Sequence, residues 1–261
     1  MLTAAILAGY GAVYLLRVRT LARRGRPVPA WRVTCFVAGL IVLGGAVAGP
    51  LADRADERMT AHMLEHLLIA DVAALLLVLG LTGPLLAPLL RIRAIAWLRA
   101  LGHPAVAVVL WAANLALWHL PVAYDAAVRH DFVHALQHAC FLVAGANLWM
   151  PLFGPFPKPP WFGNAAQVAY VLVVRGIGAV LANVFAWAGT AFYATYPDVG
   201  DQSAAGAVMM AEESVVMVAV LTWLLVRWFL DAGERQELVE LADARGVAID
   251  ERRVARAVAA G

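Results

Sequence analysis

The chemistry of this sequence is concentrated first in the segment from Met59 to His66. His62 and His66 stand four residues apart, so on a helix both imidazoles project from the same face. Met59 and Met63 repeat that spacing beside them. Imidazole and thioether groups together suit a soft or borderline transition metal. The segment therefore predicts one wall of a metal site.

Further groups of the same kind lie at the ends of other apolar segments. A second ladder of imidazoles repeats every four residues at His130, His134 and His138. We predict that the pair His62 and His66 faces His134 and His138. The other candidate ligands are Met63 and Met209 as thioether neighbours, His119 as a further ligand or gate, and Met59, His130, Met210 and Glu213 as accessory groups.

The composition places these residues in a membrane protein. Of 261 residues, 63% are hydrophobic and 15% charged, and the mean hydropathy is +0.76, well outside the balance of soluble domains. We therefore expect the lipid bilayer as a partner. No phosphate-binding Gly-rich loop or nucleic-acid patch is present in the sequence, so we expect no nucleic acid as a partner. Cys35 and Cys140 form no C-x-x-C motif. We expect both to be small buried residues without thiol chemistry.

Seven apolar segments are long enough to cross a membrane, and charged or Pro/Gly-rich breaks separate them. The segments cover about 2–16, 33–51, 61–81, 104–120, 131–153, 164–188 and 201–229. The fold class that follows is an all-α, polytopic membrane helical bundle with seven transmembrane helices. Residues 1–230 are predicted to form the transmembrane domain. Residues 231–261 are predicted to form a short charged cytoplasmic tail with a helix start at Asp250.

The positions of the basic residues predict the orientation of the bundle. Of 20 Lys and Arg residues, four (Arg54, Arg58, Arg129 and Arg175) lie in predicted outer loops or in mid-membrane, and the other 16 fall on one side. The positive-inside rule makes that side cytoplasmic, with the N-terminus out and the C-terminus in. Six of the seven histidines then lie at the outer ends of spans, and His103 lies inside.

Three ionisable residues are predicted to lie near the middle of the membrane. Asp71 is ten residues into the third span, Arg175 is eleven residues into the sixth, and Glu213 is about as deep in the seventh. An isolated charge is costly in hydrocarbon, so we expect Arg175 to pair with Asp71 or Glu213. Such a pair would serve to hold the bundle together or to relay protons or ions, and the sequence leaves both readings open.

Several motifs are similar to those of CtaG-type cytochrome c oxidase assembly factors. These are His62-Met-Leu-Glu-His66, Trp118-His119-Leu120-Pro121, His134-Ala-Leu-Gln-His138 and Asp201-Gln202-Ser-Ala-Ala-Gly206-Ala-Val-Met209. The resemblance covers about 33–229. It implies a non-enzymatic assembly factor in the bacterial plasma membrane, acting on the copper centres of the oxidase. The implied cargo is copper, as Cu(I), and the implied partners are oxidase subunits or other copper-handling proteins.

Two other functions remain open at this point. The histidine ladders could bind haem through two axial imidazoles. Alternatively, His62-x-x-Glu65-His66 matches the H-x-x-E-H signature of zinc proteases, with Glu212 or Glu213 as the third ligand. That motif is only five residues long, and its Glu65 lies off the face shared by the two histidines, which disfavours the protease; Glu65 is not among the candidate ligands.

Overall fold

The computed structural model describes residues 2–92 and 102–245. Within those ranges the chain forms helices and loops, with no β-strand apart from an isolated bridge between Tyr193 and Tyr196. Arg93 and Arg99, two of the basic residues predicted on the cytoplasmic side, lie outside the described residues, as does the predicted helix start at Asp250.

The described residues form ten helices. They are α1 (Leu2–Arg23), α2 (Ala30–Ala48), α3 (Pro50–Ala55), α4 (Met59–Leu79), α5 (Gly83–Leu90), α6 (Pro104–Trp118), α7 (Pro121–Arg129), α8 (Asp131–Phe153), α9 (Asn164–Trp187) and α10 (Val199–Ala244). Six are long and apolar enough to cross a membrane, and α6 with α7, bent by 71°, makes a seventh crossing if the pair counts as one. The predicted all-α polytopic bundle is confirmed.

The two terminal spanning helices are longer than the apolar segments that predict them. Helix α1 continues from the predicted end at residue 16 to Arg23. Helix α10 is 46 residues long and passes through residue 230, where the predicted tail begins. The added turns are rich in Arg, Glu, Gln, Leu and Ala, which all favour helix. A change from apolar to charged residues therefore marks the exit from hydrocarbon and does not end the helix.

Two short helices occupy stretches that the sequence predicts as loops. Helix α2 ends at Ala48, because Gly49 is extended and Pro50 starts α3; proline is favoured at that position of a helix. Helix α5 similarly begins with a Gly-Pro pair. Both cysteines are free and half-buried, so they are more exposed than the prediction of small buried residues.

Helix α4 is central to the bundle and packs against α2, α8 and α10. Its middle turn, Leu68–Ala73, is π-helical, a local widening that often occurs at functional sites. Gly145 of α8 lies so close to this turn that a Cβ there would overlap the carbonyl group of Ala70. At the far end of α4, Arg32 donates to the carbonyl oxygens of Leu79 and Leu81 at 2.9 Å each. These contacts fix α4 against its neighbours.

Candidate functional site

The two predicted histidine pairs meet where α4 and α8 begin. The rings of His62 and His134 are stacked with centroids 5.1 Å apart, and those of His66 and His138 meet edge to face at 5.5 Å. Within each helix the paired rings are 4.4 and 4.2 Å apart. The i, i+4 spacing thus produces two facing imidazole pairs at one end of the bundle.

Glu65 belongs to the same site, although it is not among the ligands predicted from the sequence. Its carboxylate is fully buried and points across to α8. Oε1 lies 3.6 Å from Nε2 of His138, and Oε2 lies 3.9 Å from Nε2 of His134. Although Glu65 lies off the face shared by His62 and His66, its carboxylate reaches the same two histidines of α8. We call these five residues the histidine cluster.

The histidine cluster contains two groups of side chains that could hold a metal ion. One is His62, His66 and His134, and the other is Glu65, His134 and His138. In each group the ligand atoms all lie within 4.8 Å of one another. Over the part of the chain that the structure describes, these are the two such groups formed by His, Cys, Asp and Glu. His134 belongs to both, so the groups share one centre.

Several polar atoms of the histidine cluster are buried without a hydrogen bond. They include both carboxylate oxygens of Glu65, both ring nitrogens of His66 and the Nε2 atoms of His134 and His138. Buried polar groups are normally hydrogen-bonded, because leaving them unpaired costs free energy. A cation bound in either group would supply a partner to several of these atoms, with one ring nitrogen of each histidine acting as the ligand. The donor set therefore fits a metal ion.

The predicted thioether groups lie on the other side of His66. Met63, Met209, His66 and His119 line a cavity of about 30 Å³, room for one particle of the size of water. The Nε2 atom of His119 is buried there without a hydrogen bond. Met63, Met209 and His119 are therefore placed next to the histidine cluster.

The accessory residues are placed less uniformly. Met59 is buried in a cluster of aromatic and thioether side chains, and Met210 is half-buried against the same cluster. Glu213 lines the small cavity. His130 is exposed and stands before the first turn of α8, with φ −135° and ψ 111°. Its backbone is not helical, so the four-residue repeat does not carry His130 into the histidine cluster.

A group of tyrosines covers the cluster from the loop between α9 and α10. Tyr193 stacks on the buried Tyr124 at 3.8 Å and donates to the carbonyl oxygen of His119 at 3.0 Å. The hydroxyl of Tyr196 donates to the carbonyl oxygen of Ala55 and lies 3.4 Å from Nδ1 of His62. Burial raises the pKa of Tyr193 and of Tyr196 above the usual range. Both hydroxyls therefore remain protonated donors at neutral pH.

Asp201 fixes the start of α4 from a distant part of the chain. Its carboxylate accepts from the backbone N–H of Met59 at 2.6 Å and from the hydroxyl of Thr60 at 2.5 Å. It thereby caps a helix whose first N–H groups have no intrahelical partners. The adjacent Gln202 accepts from Phe192 N–H at 2.9 Å and holds the covering loop. The Asp-Gln pair of the sequence motif thus positions the site.

Gly206 brings the next turn of α10 against α9. A Cβ at this residue would overlap the backbone of Ala182 and Ala186, so only glycine permits this approach. Met209 follows in the next turn and lines the cavity beside the histidine cluster. Gly206 therefore determines how closely α10 packs on α9, and thereby the position of Met209 in the cavity.

Arg175 lies deeper in the bundle, where it contacts three carboxylates. Its Nη2 is 2.5 Å from Asp71, and its Nη1 is 3.2 Å from Glu213 and 3.7 Å from Glu212. All four residues lie in spanning helices, and Asp71 is on the π-helical turn of α4. Both carboxylates considered in the sequence analysis are partners of Arg175, and Glu212 is a third. We call these four residues the charge cluster.

Residues 12–231 of the chain match the family described as cytochrome c oxidase caa3 assembly factor, Caa3_CtaG. The chain belongs to this family. The resemblance of its histidine motifs to CtaG-type factors is thereby confirmed, and the match includes every residue of the histidine and charge clusters. It also includes Asp201, Gln202 and Gly206, whose roles in this structure are to position the site.

Three mycobacterial proteins of unassigned function are also similar. Mb0105 of Mycobacterium bovis and MT0111 of Mycobacterium tuberculosis are each 23% identical over 246 residues, covering 84% of this chain and 37% of theirs. ML1998 of Mycobacterium leprae is 22% identical over 253 residues, covering 86% and 38%. The chain thus spans less than two fifths of these relatives. No solved structure matches it.

Proposed function

We propose that this CtaG-family protein handles copper during the assembly of cytochrome c oxidase, at the histidine cluster between α4 and α8. The observation that carries the proposal is the convergence of buried, unpartnered ligand atoms from Glu65, His66, His134 and His138. A buried carboxylate among imidazoles, without a hydrogen bond, is unfavourable unless a cation joins it. The family supplies the context of oxidase assembly.

The choice of copper follows from the kinds of ligand at hand. Imidazole and thioether groups are preferred by Cu(I), and Met63 and Met209 line the cavity that borders His66. The carboxylate of Glu65 is a harder ligand, which extends the same site to Cu(II). The proposed partners are oxidase subunits or other copper-handling proteins in the bacterial plasma membrane. The proposed role is assembly and not catalysis.

The geometry is unfavourable to the two alternatives. The facing imidazoles pack directly on each other, with His62 and His134 stacked at 5.1 Å, so a macrocycle does not fit between them. For the zinc protease, Glu212 and Glu213 were the expected third ligands, but both contact the guanidinium of Arg175. Glu65, the general base of that motif, lies instead between two imidazoles of α8.

Copper binding by the full chain tests the proposal. The protein is purified in detergent, loaded with Cu(I) under reducing conditions, and analysed for copper and zinc. We expect stoichiometric copper in the native protein, and its loss in the double variant His62→Ala, His66→Ala, because one wall of the site is removed. Cells carrying that variant should also lose copper-containing oxidase activity while retaining normal amounts of the protein.

His130→Ala is the control, since His130 precedes His134 and His138 in the second ladder but is exposed outside the cluster. It should retain both copper and oxidase activity. Full copper stoichiometry and full oxidase activity in the double variant would overturn the proposal. Binding of zinc in place of copper by the native protein would overturn the choice of metal.

A further inference from the structure

A second cavity lies at the opposite end of the bundle from the histidine cluster. It has a volume of about 890 Å³ and separates the loop between α8 and α9 from the second half of α10. Lys158 and Gln167 line one wall, and Arg227, Asp231 and Arg235 line the other. The positive-inside rule predicts that this end is cytoplasmic.

Basic side chains predominate around this cavity. Lys158, Arg227 and Arg235 line it together with one carboxylate, that of Asp231. Arg227 lies 3.8 Å from Asp231, and Lys158 donates to the neutral amide oxygen of the buried Gln167 at 3.3 Å. Burial, and next the charge of Arg227, lower the pKa of Lys158 to about 8. An anion in the cavity would offset this mutual repulsion.

The cavity also receives the start of a long helix. Gly163 and Asn164, where α9 begins, line it. The first N–H groups of a helix lack intrahelical partners and carry partial positive charge, so this position favours anions. A helix start and three basic side chains from two other segments therefore converge on one space.

The surroundings of the cavity are those of a membrane boundary. Trp228 forms part of the wall, and Trp228, Phe229 and Leu230 are exposed large apolar side chains on α10. Charged residues follow directly along the helix, beginning at Asp231. Tryptophan is typical of the level of lipid headgroups. The cavity thus lies where a headgroup would reach it while the acyl chains stayed in the bilayer.

We propose that this cavity binds the phosphate group of an anionic phospholipid, through Lys158, Arg227, Arg235 and the start of α9. Basic pockets between spanning helices at the cytoplasmic surface recognise such headgroups, and arginine and lysine form charge-assisted hydrogen bonds with phosphate oxygens. Free phosphate offers the same oxygens. A lipid is favoured because exposed apolar side chains lie directly beside the basic wall.

The full chain, stripped of lipid in a neutral detergent, tests this site. Phosphatidylglycerol, phosphatidylcholine or inorganic phosphate is added, and bound lipid and thermal stability are measured. We expect retention of phosphatidylglycerol with a rise in the unfolding temperature, and neither effect with phosphatidylcholine or phosphate. The triple variant Lys158→Gln, Arg227→Gln, Arg235→Gln should lose both effects.

A variant of equal charge loss supplies the control. Arg19→Gln, Arg23→Gln, Arg24→Gln removes three exposed arginines on the same predicted side of the membrane, away from the cavity, and should retain the lipid. If the cavity variant does not purify, Lys158→Gln alone should weaken retention. The proposal would be overturned if the cavity variant retained as much lipid as the native protein does. If only Lys158→Gln can be purified, native lipid retention in that variant would overturn it. Equal stabilisation by inorganic phosphate would overturn the lipid source.

The pH dependence gives an independent readout. Lys158 is charged below about pH 8 and loses its proton as the pH rises through that value, so lipid binding should weaken above it. The charged groups that face Lys158 are Arg227, Asp231 and Arg235 on α10. Lys158→Arg should bind lipid without that weakening. The same pH profile in both proteins would contradict the role of Lys158.

Discussion

Glu65 and Asp71 lie six residues apart on α4, and both are buried carboxylates, yet their surroundings differ. Asp71 contacts the guanidinium of Arg175 at 2.5 Å. Glu65 is buried beside His134 and His138, and neither of its oxygens has a hydrogen bond. A carboxylate paired within the protein contributes to its folding. In the proposed function, the partner of Glu65 is the bound metal ion.

The largest expected effect is the removal of the paired cation. Arg175→Ala leaves the buried Asp71 and Glu213 and the half-buried Glu212 without a counter-charge, and breaking such a pair costs about 3–5 kcal/mol. We expect a marked loss of folded protein and a lower unfolding temperature in detergent. Arg54→Ala, at an exposed arginine on α3, is the control and should be close to native. Native stability of Arg175→Ala would mean that the charge cluster is not needed for folding.

The same contrast explains which parts of the site the sequence could predict. The i, i+4 spacing of His62 with His66 and of His134 with His138 determines a shared face, and in the structure the two pairs lie opposite each other. Such spacing depends only on local helix geometry. It fails at His130, where the chain has not yet entered α8. Periodicity does not tell where a helix begins.

The residues that position the site could not be predicted from spacing, because they act across long separations in sequence. Asp201 caps α4 from 142 residues away, and Tyr196 reaches Ala55 from 141. Glu65 gives a local signal, since a carboxylate inside H-x-x-E-H is unusual in an apolar segment. Its role depends on which helix packs on its face, and that is a property of the fold. The bundle was predictable because apolar length alone determines membrane crossing.

An intermediate effect is expected from neutralising the unpartnered carboxylate. Glu65→Gln keeps the shape of the side chain and removes a buried charge that has no hydrogen bond. Without metal, this variant should be as stable as the native protein or more so, the opposite of Arg175→Ala. Its affinity for copper should fall by about tenfold or more, a loss of about 1.4 kcal/mol.

Titration with a competing Cu(I) chelator measures that affinity, and thermal unfolding measures the stability of the metal-free protein. Glu57→Gln, at an exposed carboxylate just before α4, is the matched control and should change neither. A loss of stability in Glu65→Gln as large as in Arg175→Ala would remove the distinction between the two carboxylates. Unchanged copper affinity would place Glu65 outside the ligand set.

The smallest expected effect on copper binding concerns the cover over the histidine cluster. The Tyr196 hydroxyl donates to the carbonyl oxygen of Ala55 and lies 3.4 Å from Nδ1 of His62, so Tyr196→Phe loses one buried hydrogen bond and leaves an acceptor unpaired. The cost should be about 1–3 kcal/mol, seen as a lower unfolding temperature. Copper stoichiometry should stay at the native value, because all the ligands remain. Tyr10→Phe, at an exposed tyrosine of α1, is the control and should be neutral. Loss of copper from Tyr196→Phe would instead mean that the hydroxyl takes part in metal binding. The binding site would then extend to the loop between α9 and α10.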